Sequence, residues 1–483
     1  MIDFRPVLFV IGILLAALAA VMAVPSAVDH LAGNVHDGQV FAISSVITLF
    51  FGVSLVLTSR IEDLALDVRQ TFVATTLAWI VAAVFCAMPF VFSEVHLRPV
   101  DAFFEAMSGI TTTGSTVLSG LDQAPPGLLL WRALLQWLGG LGVIAMATVA
   151  LPALRVGGMQ LFRMETSAAA ERAQPRMAQI ATGVALIYVG LTTVFATALW
   201  FLGMKGLEAV VHAMTAIATG GFSTSDESVG HFHSGSIEAM LTVAMLLGGL
   251  PFVLMVQALR GNPGRLFRDS QVHWYLGVAL IAAAVMAAWE YANTDAPFLA
   301  AVRESAFNMV SIMTGTGFTT GGYTTWGGLT AELFFFFMIV GGCAGSTTGG
   351  IKIFRFQVIY ETAQAQVNRL IQPNGIFIPY FNDKPISEEV SNSVMGFFFL
   401  FAVTFALLAL ALSLLGLDFV TSISGAATAI ANVGPGIGSV IGAGKTFASL
   451  PDAAKWLLSL GMLLGRLEIY TVLVLCAPSF WRA

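Results

Sequence analysis

Four short segments of glycine and small hydroxyl residues recur along the chain. They are Thr112-Thr113-Gly114-Ser115-Thr116, Thr219-Gly220-Gly221-Phe222-Ser223, Gly315-Thr316-Gly317-Phe318-Thr319 and Asn432-Val433-Gly434-Pro435-Gly436. Their central glycines lie 107, 96 and 117 residues apart (221−114, 317−221, 434−317). The chemistry such residues suit is coordination of a desolvated cation by backbone carbonyls. Glycine permits the backbone angles that aim a carbonyl at an ion, and Thr or Ser leaves room for it. One segment of this kind carries little weight. Four at similar spacing, each in the same hydropathy context, form an internal repeat. The expected carbonyl ligands are Thr112, Thr113 and Gly114; Thr219, Gly220 and Gly221; Thr316, Gly317 and Phe318; Asn432, Val433 and Gly434. Where a Thr-Val-Gly-Tyr-Gly filter has its second glycine, this chain has Thr116, Ser223, Thr319 and Gly436. Such a degenerate ring should be selective, but less stringently so.

The elements that must position these segments are transmembrane. Of 483 residues, 57% are hydrophobic and 10% charged, against about a quarter charged in soluble domains. The net charge of −6 offers no basic patch for nucleic acid, so the expected surroundings are a lipid bilayer. Ten apolar runs approach the roughly 20 residues of a span: about 6–24, 39–58, 71–92, 128–150, 180–202, 238–259, 273–292, 331–360, 393–415 and 453–477. The first is read as a retained span, since no convincing cleavage site follows it. Shorter apolar stretches at about 101–111, 206–218, 300–314 and 418–431 each end at a glycine segment. They are too short to span and suit re-entrant helices lined by protein. The expected fold is an all-α integral membrane protein. It has four pseudo-symmetric span–pore-helix–span repeats around one pore, plus an N-terminal two-helix hairpin. The divisions are 1–65 for the hairpin, 66–155, 156–262, 263–365 and 366–483. With a cytoplasmic N-terminus, 15 of the 22 Lys and Arg fall inside, against six outside and Arg466 within a span. That bias fixes the orientation and places all four glycine segments on the outer side.

One run is interrupted. Gly341-Gly342-Cys343-Ala344-Gly345-Ser346-Thr347-Thr348-Gly349-Gly350 has five glycines in ten residues, and Lys352 and Arg355 follow. A straight helix cannot hold there, since each glycine costs roughly 1 kcal/mol relative to Ala. The segment is expected to cross beneath the third filter segment as a polar gate, the alternative being a kink for close packing. Arg466 is the charge at membrane depth expected beside it, facing the pathway or clamping the loop. Glu468 is too close in sequence to pair with Arg466 along a helix and is the nearest candidate for proton coupling. Acidic residues at the outer side, among them Asp101, Glu105, Asp226, Asp418 and Asp452, would concentrate cations. His231 and His233 read as surface-loop residues, lacking a third ligand. The run Gly438 to Thr446 ends like a phosphate-binding loop but has Ser439 where a glycine is required, so no nucleotide site is expected here. Cys86, Cys343 and Cys476 are odd in number and lie in apolar stretches, which implies no disulfide framework. No catalytic residues are expected, nor an enzyme.

Together these residues resemble the Trk/Ktr/HKT superfamily of potassium uptake proteins, in particular its TrkH type, over nearly the whole chain. The most specific parts are residues 111–115, 158–163, 314–320, 341–352 and 432–436. The resemblance implies potassium uptake across a bacterial inner membrane, with K⁺ the transported ion and no cofactor in this chain. It implies a homodimer and a gate at 341–350 with Arg466 near it. It also implies a cytoplasmic nucleotide-binding regulator of the TrkA type, which binds ATP, ADP or NAD(H). Coupling of K⁺ to H⁺ or Na⁺ in a symport is the alternative. Ser167-Ala168-Ala169-Ala170 is less polar than the family pattern at a point where partner contacts are expected.

Overall fold

The long apolar runs fold as helices because a membrane offers no other partner for backbone N–H and C=O groups. The computed structural model describes residues 2–61, 66–150, 157–159, 161, 173–321, 323 and 326–482. Helices α1 (Arg5–Ala32) and α2 (Val35–Thr58) form the N-terminal hairpin, turned at Gly33 with φ 87°. Four similar blocks follow. In the first, α3 (Val68–Phe92) leads to a short α4 (Pro99–Ile110), the first glycine segment, and α5 (Pro126–Ala145). The second comprises α6 (Ala173–Phe201), short α7 (Gly206–Ile217), α8 (Gly235–Gly248) and α9 (Phe252–Leu259). After α10 (Pro263–Arg268), the third has α11 (Ser270–Asn293), α12 (Phe298–Met313), α13 (Gly328–Ile339) and α14 (Ile353–Ile371). A two-stranded hairpin, Tyr380–Phe381 with Lys384–Pro385, precedes the fourth block. That block comprises α15 (Glu388–Leu414), α16 (Phe419–Ala431) and α17 (Asp452–Arg466), then α18 (Tyr470–Leu473) and α19 (Pro478–Arg482).

The packing between blocks is circular. Within each block the first long helix packs on its own short helix: α3 on α4, α6 on α7, α11 on α12 and α15 on α16. The helix after each glycine segment packs on the short helix of the next block: α5 on α7, α8 on α12, α13 on α16, and α17 back on α4. Each short helix is thus held from both sides and ends where its glycine segment begins. Its C-terminal carbonyls, the negative end of the helix dipole, abut that segment and favour a cation there.

Three of the ten apolar runs are not straight spans. Among the described residues seven helices are long and apolar enough to cross a membrane, or nine if two bent pairs each count as one. The run at 238–259 bends by 98° between α8 and α9, where Pro251 supplies no N–H to continue the ladder. The run at 453–477 bends by 107° after Arg466, with Glu468 and Ile469 at φ 61° and 48°. The run at 331–360 is broken outright between Ile339 and Ile353. In the first block α5 passes into a π-helical turn at Met146–Ala150. The helix after every glycine segment is therefore irregular below it. Residues 151–156, 160 and 162–172, including Ser167–Ala170, lie outside the described residues.

Candidate cation pathway

The four glycine segments share one backbone conformation. The central glycines Gly114, Gly221, Gly317 and Gly434 have φ of 88°, 78°, 80° and 100°. Two residues earlier, Thr112, Thr219, Gly315 and Asn432 have φ of 52°, 50°, 73° and 54°. A left-handed residue at every second position turns successive carbonyls toward one side of the strand, which a run of ordinary L-residues resists. One hydrogen bond recurs in all four. The N–H just before each central glycine donates to a carbonyl five residues back: Thr113 to Ser108 (2.9 Å), Gly220 to Thr215 (2.8 Å), Thr316 to Ser311 (2.9 Å) and Val433 to Thr428 (3.1 Å).

The segments close into a ring. A Cβ placed on Gly114 would lie 2.2 Å from the Gly220 carbonyl oxygen, and one on Gly221 would lie 1.8 Å from that of Thr316. On Gly317 it would lie 2.3 Å from the Val433 oxygen, and on Gly434 3.0 Å from the Thr113 oxygen. Each central glycine thus faces the carbonyl just ahead of the next segment's central glycine, and the fourth returns to the first. A side chain would fill the space through which these backbones approach. Above the ring is a cavity of about 190 Å³ lined by all four glycines, with Asp226 and Lys445 in its wall.

Side-chain hydrogen bonds that the sequence reading did not foresee hold the ring in shape. Gln136 on α5 donates from Nε2 to the Gly220 carbonyl (2.6 Å) and accepts from the Phe222 N–H (3.0 Å). Ser311 Oγ donates to the Phe318 carbonyl (2.7 Å), and Ser115 Oγ and Thr428 Oγ1 donate to that of Gly434 (2.7 and 3.0 Å). Three of the twelve expected ligand carbonyls are therefore already engaged by side chains, each keeping a second lone pair. Asn432 Nδ2 ties the fourth segment to Thr113 Oγ1 (2.9 Å) and to the Met462 carbonyl (3.0 Å). His212 bridges from the Glu208 carbonyl (2.8 Å) to Ser223 Oγ (2.9 Å), its ring beside Phe318. Thr112 Oγ1 and Asn432 Oδ1 are buried without hydrogen-bond partners, polar atoms available to water or a cation at the ring.

Glu105 and Arg132 correct the expected outer charge pattern. Neither decorates a mouth: both are buried, with Arg132 Nε 2.9 Å from Glu105 Oε1. Arg132 also donates to the Ser223 carbonyl (2.9 Å) and to Thr116 Oγ1 (3.1 Å) and lies over the Phe222 ring. Glu105 accepts the Val117 N–H (2.9 Å). The pair fastens the first segment to the second. Lys455 is likewise buried and paired with Asp101, which Arg98 also meets at 2.8 Å. Asp226 is occupied by the N–H groups of Gly120 (2.7 Å) and Leu121 (3.1 Å). Few of the acidic residues expected at the outer side are unpaired carboxylates. Their types were legible, but Arg132 lies 27 residues from Glu105 and Lys455 lies 354 from Asp101, beyond the reach of local spacing.

Below the ring, residues 341–350 fill the break between α13 and α14. The loop's ends meet in a parallel bridge, Val340 to Ile351, with Gly341 N–H donating to the Ile351 carbonyl (2.9 Å). Ser346, Thr347 and Thr348 are fully buried. Thr347 is the anchor: its Oγ1 donates to the carbonyls of Ile217 and Gly248, 3.0 Å each, and accepts from Thr219 Oγ1 (3.1 Å). The loop is thus bonded directly to the second glycine segment. On the other side a Cβ on Gly349 would meet the Ala431 carbonyl oxygen at 2.2 Å, at the start of the fourth segment. The Cys343 N–H donates to the Gly249 carbonyl (3.0 Å), and the Phe252 N–H to that of Gly345 (3.1 Å), seating the loop in the α8–α9 bend.

Three cations surround this loop. Arg466 donates from its guanidinium to the Thr347 carbonyl (3.0 Å), while its Nε and other terminal nitrogen are buried without partners. Lys352 Nζ bonds the Thr348 carbonyl and lies 3.1 Å from Thr348 Oγ1. Arg355 pairs with Glu468, donates to the Gly157 carbonyl (2.9 Å) and lies over Phe397. Lys352 and Arg355, which follow the loop in sequence, are both buried beside it. The helix break after Arg466 resolves the spacing problem of Glu468, which turns to Arg355 rather than to its near neighbour.

The comparisons agree with this architecture. Residues 37–482 match the TrkH family, described as cation transport proteins. The chain is 44% identical over 481 residues to the Trk system potassium uptake protein TrkI of Halomonas elongata, covering 99% of this chain and 97% of that one. It is 36% identical over 485 residues to the Trk system potassium uptake protein TrkH of Escherichia coli K12, covering 99% of each. Its structure matches the crystal structure of the potassium transporter TrkH from Vibrio parahaemolyticus with a TM-score of 0.92 and 32% identity over the whole of both chains. A matched family over most of its length, full-length relatives and a ring built from four helical blocks together place this chain in the TrkH family of multi-pass membrane cation transport proteins.

Proposed function

We propose that this chain takes up potassium across the inner membrane of a bacterium, with its N-terminus in the cytoplasm. Ions pass through the ring formed by Gly114, Gly221, Gly317, Gly434 and the residues before them, and the segment 341–350 with Arg466 closes the path below. The observation that carries this reading is the closed cycle of glycine-to-carbonyl approaches around four segments of one backbone conformation. The potassium assignment is supported by the names of the full-length relatives. A ring of carbonyls replaces the hydration shell of a cation, and one glycine per segment retains fewer such layers than two would. The positive cluster of Lys352, Arg355 and Arg466, offset by Glu468, sets a barrier to cations while the loop is in place. We infer a homodimer regulated by a cytoplasmic nucleotide-binding subunit of the TrkA type, a reading supported by the likeness to full-length Trk system proteins. The test is ⁸⁶Rb⁺ or K⁺ uptake into liposomes holding the pure protein. Uptake that competes with K⁺ better than with Na⁺, and that needs no imposed proton gradient, supports the reading. Uptake that occurs only with such a gradient supports the symport alternative.

A further inference from the structure

We propose that His36, Asp37 and Glu94 form a divalent transition-metal site, of the kind that takes Zn²⁺, which staples the N-terminal hairpin to the linker entering the first short helix. The site lies beside the turn between α1 and α2. His36 and Asp37 are in the first turn of α2, and Glu94 follows the end of α3. One ligand atom from each lies within 4.8 Å of the others. His36 Nδ1 is 3.0 Å from Asp37 Oδ1, and that oxygen also accepts the Glu94 N–H at 3.0 Å. The independent sign of a missing cation is Asp37 itself. Its side chain is wholly buried, its Oδ2 has no hydrogen-bond partner, and no Lys or Arg is paired with it among the described residues. A buried carboxylate without a cation carries a large desolvation penalty.

The donor set selects the metal class. One imidazole nitrogen and two carboxylate oxygens suit Zn²⁺, whose ligands lie at about 2.0–2.2 Å, with water as the fourth. Ca²⁺ or Mg²⁺ would demand more oxygens. The His36 side chain is 55% exposed and Glu94 is exposed, so both can rotate onto the buried anchor and the metal has a path in. Glu94 sits on the short stretch between α3 and α4, the helix that delivers Thr112 to Gly114 to the ring. A metal there would fix the hairpin to the backbone that positions the first segment.

The experiment uses the purified full chain in detergent, stripped with a chelator and titrated with Zn²⁺. Calorimetry and metal analysis should give one saturable site per chain, and Zn²⁺ but not Mg²⁺ should raise the melting temperature. His36→Ala and Glu94→Gln, both at exposed side chains that leave the fold intact, should each weaken binding at least about tenfold and abolish the thermal shift. Asp37→Asn should do the same if it folds. The proposal is overturned if the wild type shows no saturable Zn²⁺ binding. It is equally overturned if His36→Ala and Glu94→Gln retain it, or if Mg²⁺ stabilises as well as Zn²⁺.

Discussion

At the scale of single residues, the ring makes graded predictions. Each central glycine combines a left-handed φ with a close backbone neighbour, so a side chain there adds strain of about 1–3 kcal/mol and displaces a carbonyl. That is enough to change ion preference on the order of tenfold. Serine at Gly221, where the approach is 1.8 Å, should reduce K⁺ over Na⁺ preference most, and serine at Gly434, at 3.0 Å, least. Gly114→Ser should also admit Na⁺. Competition of Na⁺ against Rb⁺ uptake measures the order, and unchanged preference in all four variants would remove these glycines from the filter. The glycines were legible in the sequence because their conformational demand is local. Gln136 was not: a lone Gln in an apolar helix carries no signal until the fold brings it to Gly220. Arg132 was not legible as a structural partner for the same reason, since its partner Glu105 lies in another helix. Replacing Arg132 by Ala would leave Glu105 buried and unpaired, and should destabilise the protein by about 3–5 kcal/mol, read as a lower melting temperature in detergent.

At the scale of elements, the irregular helices below the ring carry the gating account. Glycine density announced the break at 341–350, but the two sharp bends were hidden inside runs apolar enough to read as straight spans. Pro251 was a visible signal for one of them. The other, at Glu468 and Ile469, has no glycine or proline at its turn, and tertiary pairing of Glu468 with Arg355 accompanies it. Shortening the 341–350 loop should unplug the space beneath the filter and raise flux measured without any partner. Arg466→Ala should raise it less, because it removes one bond to Thr347 and one charge while Thr347 keeps its bonds to Ile217 and Gly248. Uptake of Rb⁺ into liposomes at matched protein amounts compares them. Flux at or below wild type from a folded loop-shortened protein would make the segment a packing kink.

At the scale of the whole molecule, the sequence revealed four repeats because hydropathy and glycine spacing are one-dimensional signals. It did not reveal how the repeats lock. The structure supplies that: the helix after each glycine segment grips the next block's short helix, and the last grips the first. The central claim is that K⁺ passes through the ring so closed. The most direct measurement is ⁸⁶Rb⁺ uptake by liposomes containing pure protein, with wild type and Gly221→Ser compared under increasing external Na⁺. The account predicts that wild-type uptake resists Na⁺, whereas the variant loses that resistance by on the order of tenfold while remaining folded. Identical Na⁺ sensitivity in the two proteins would contradict it.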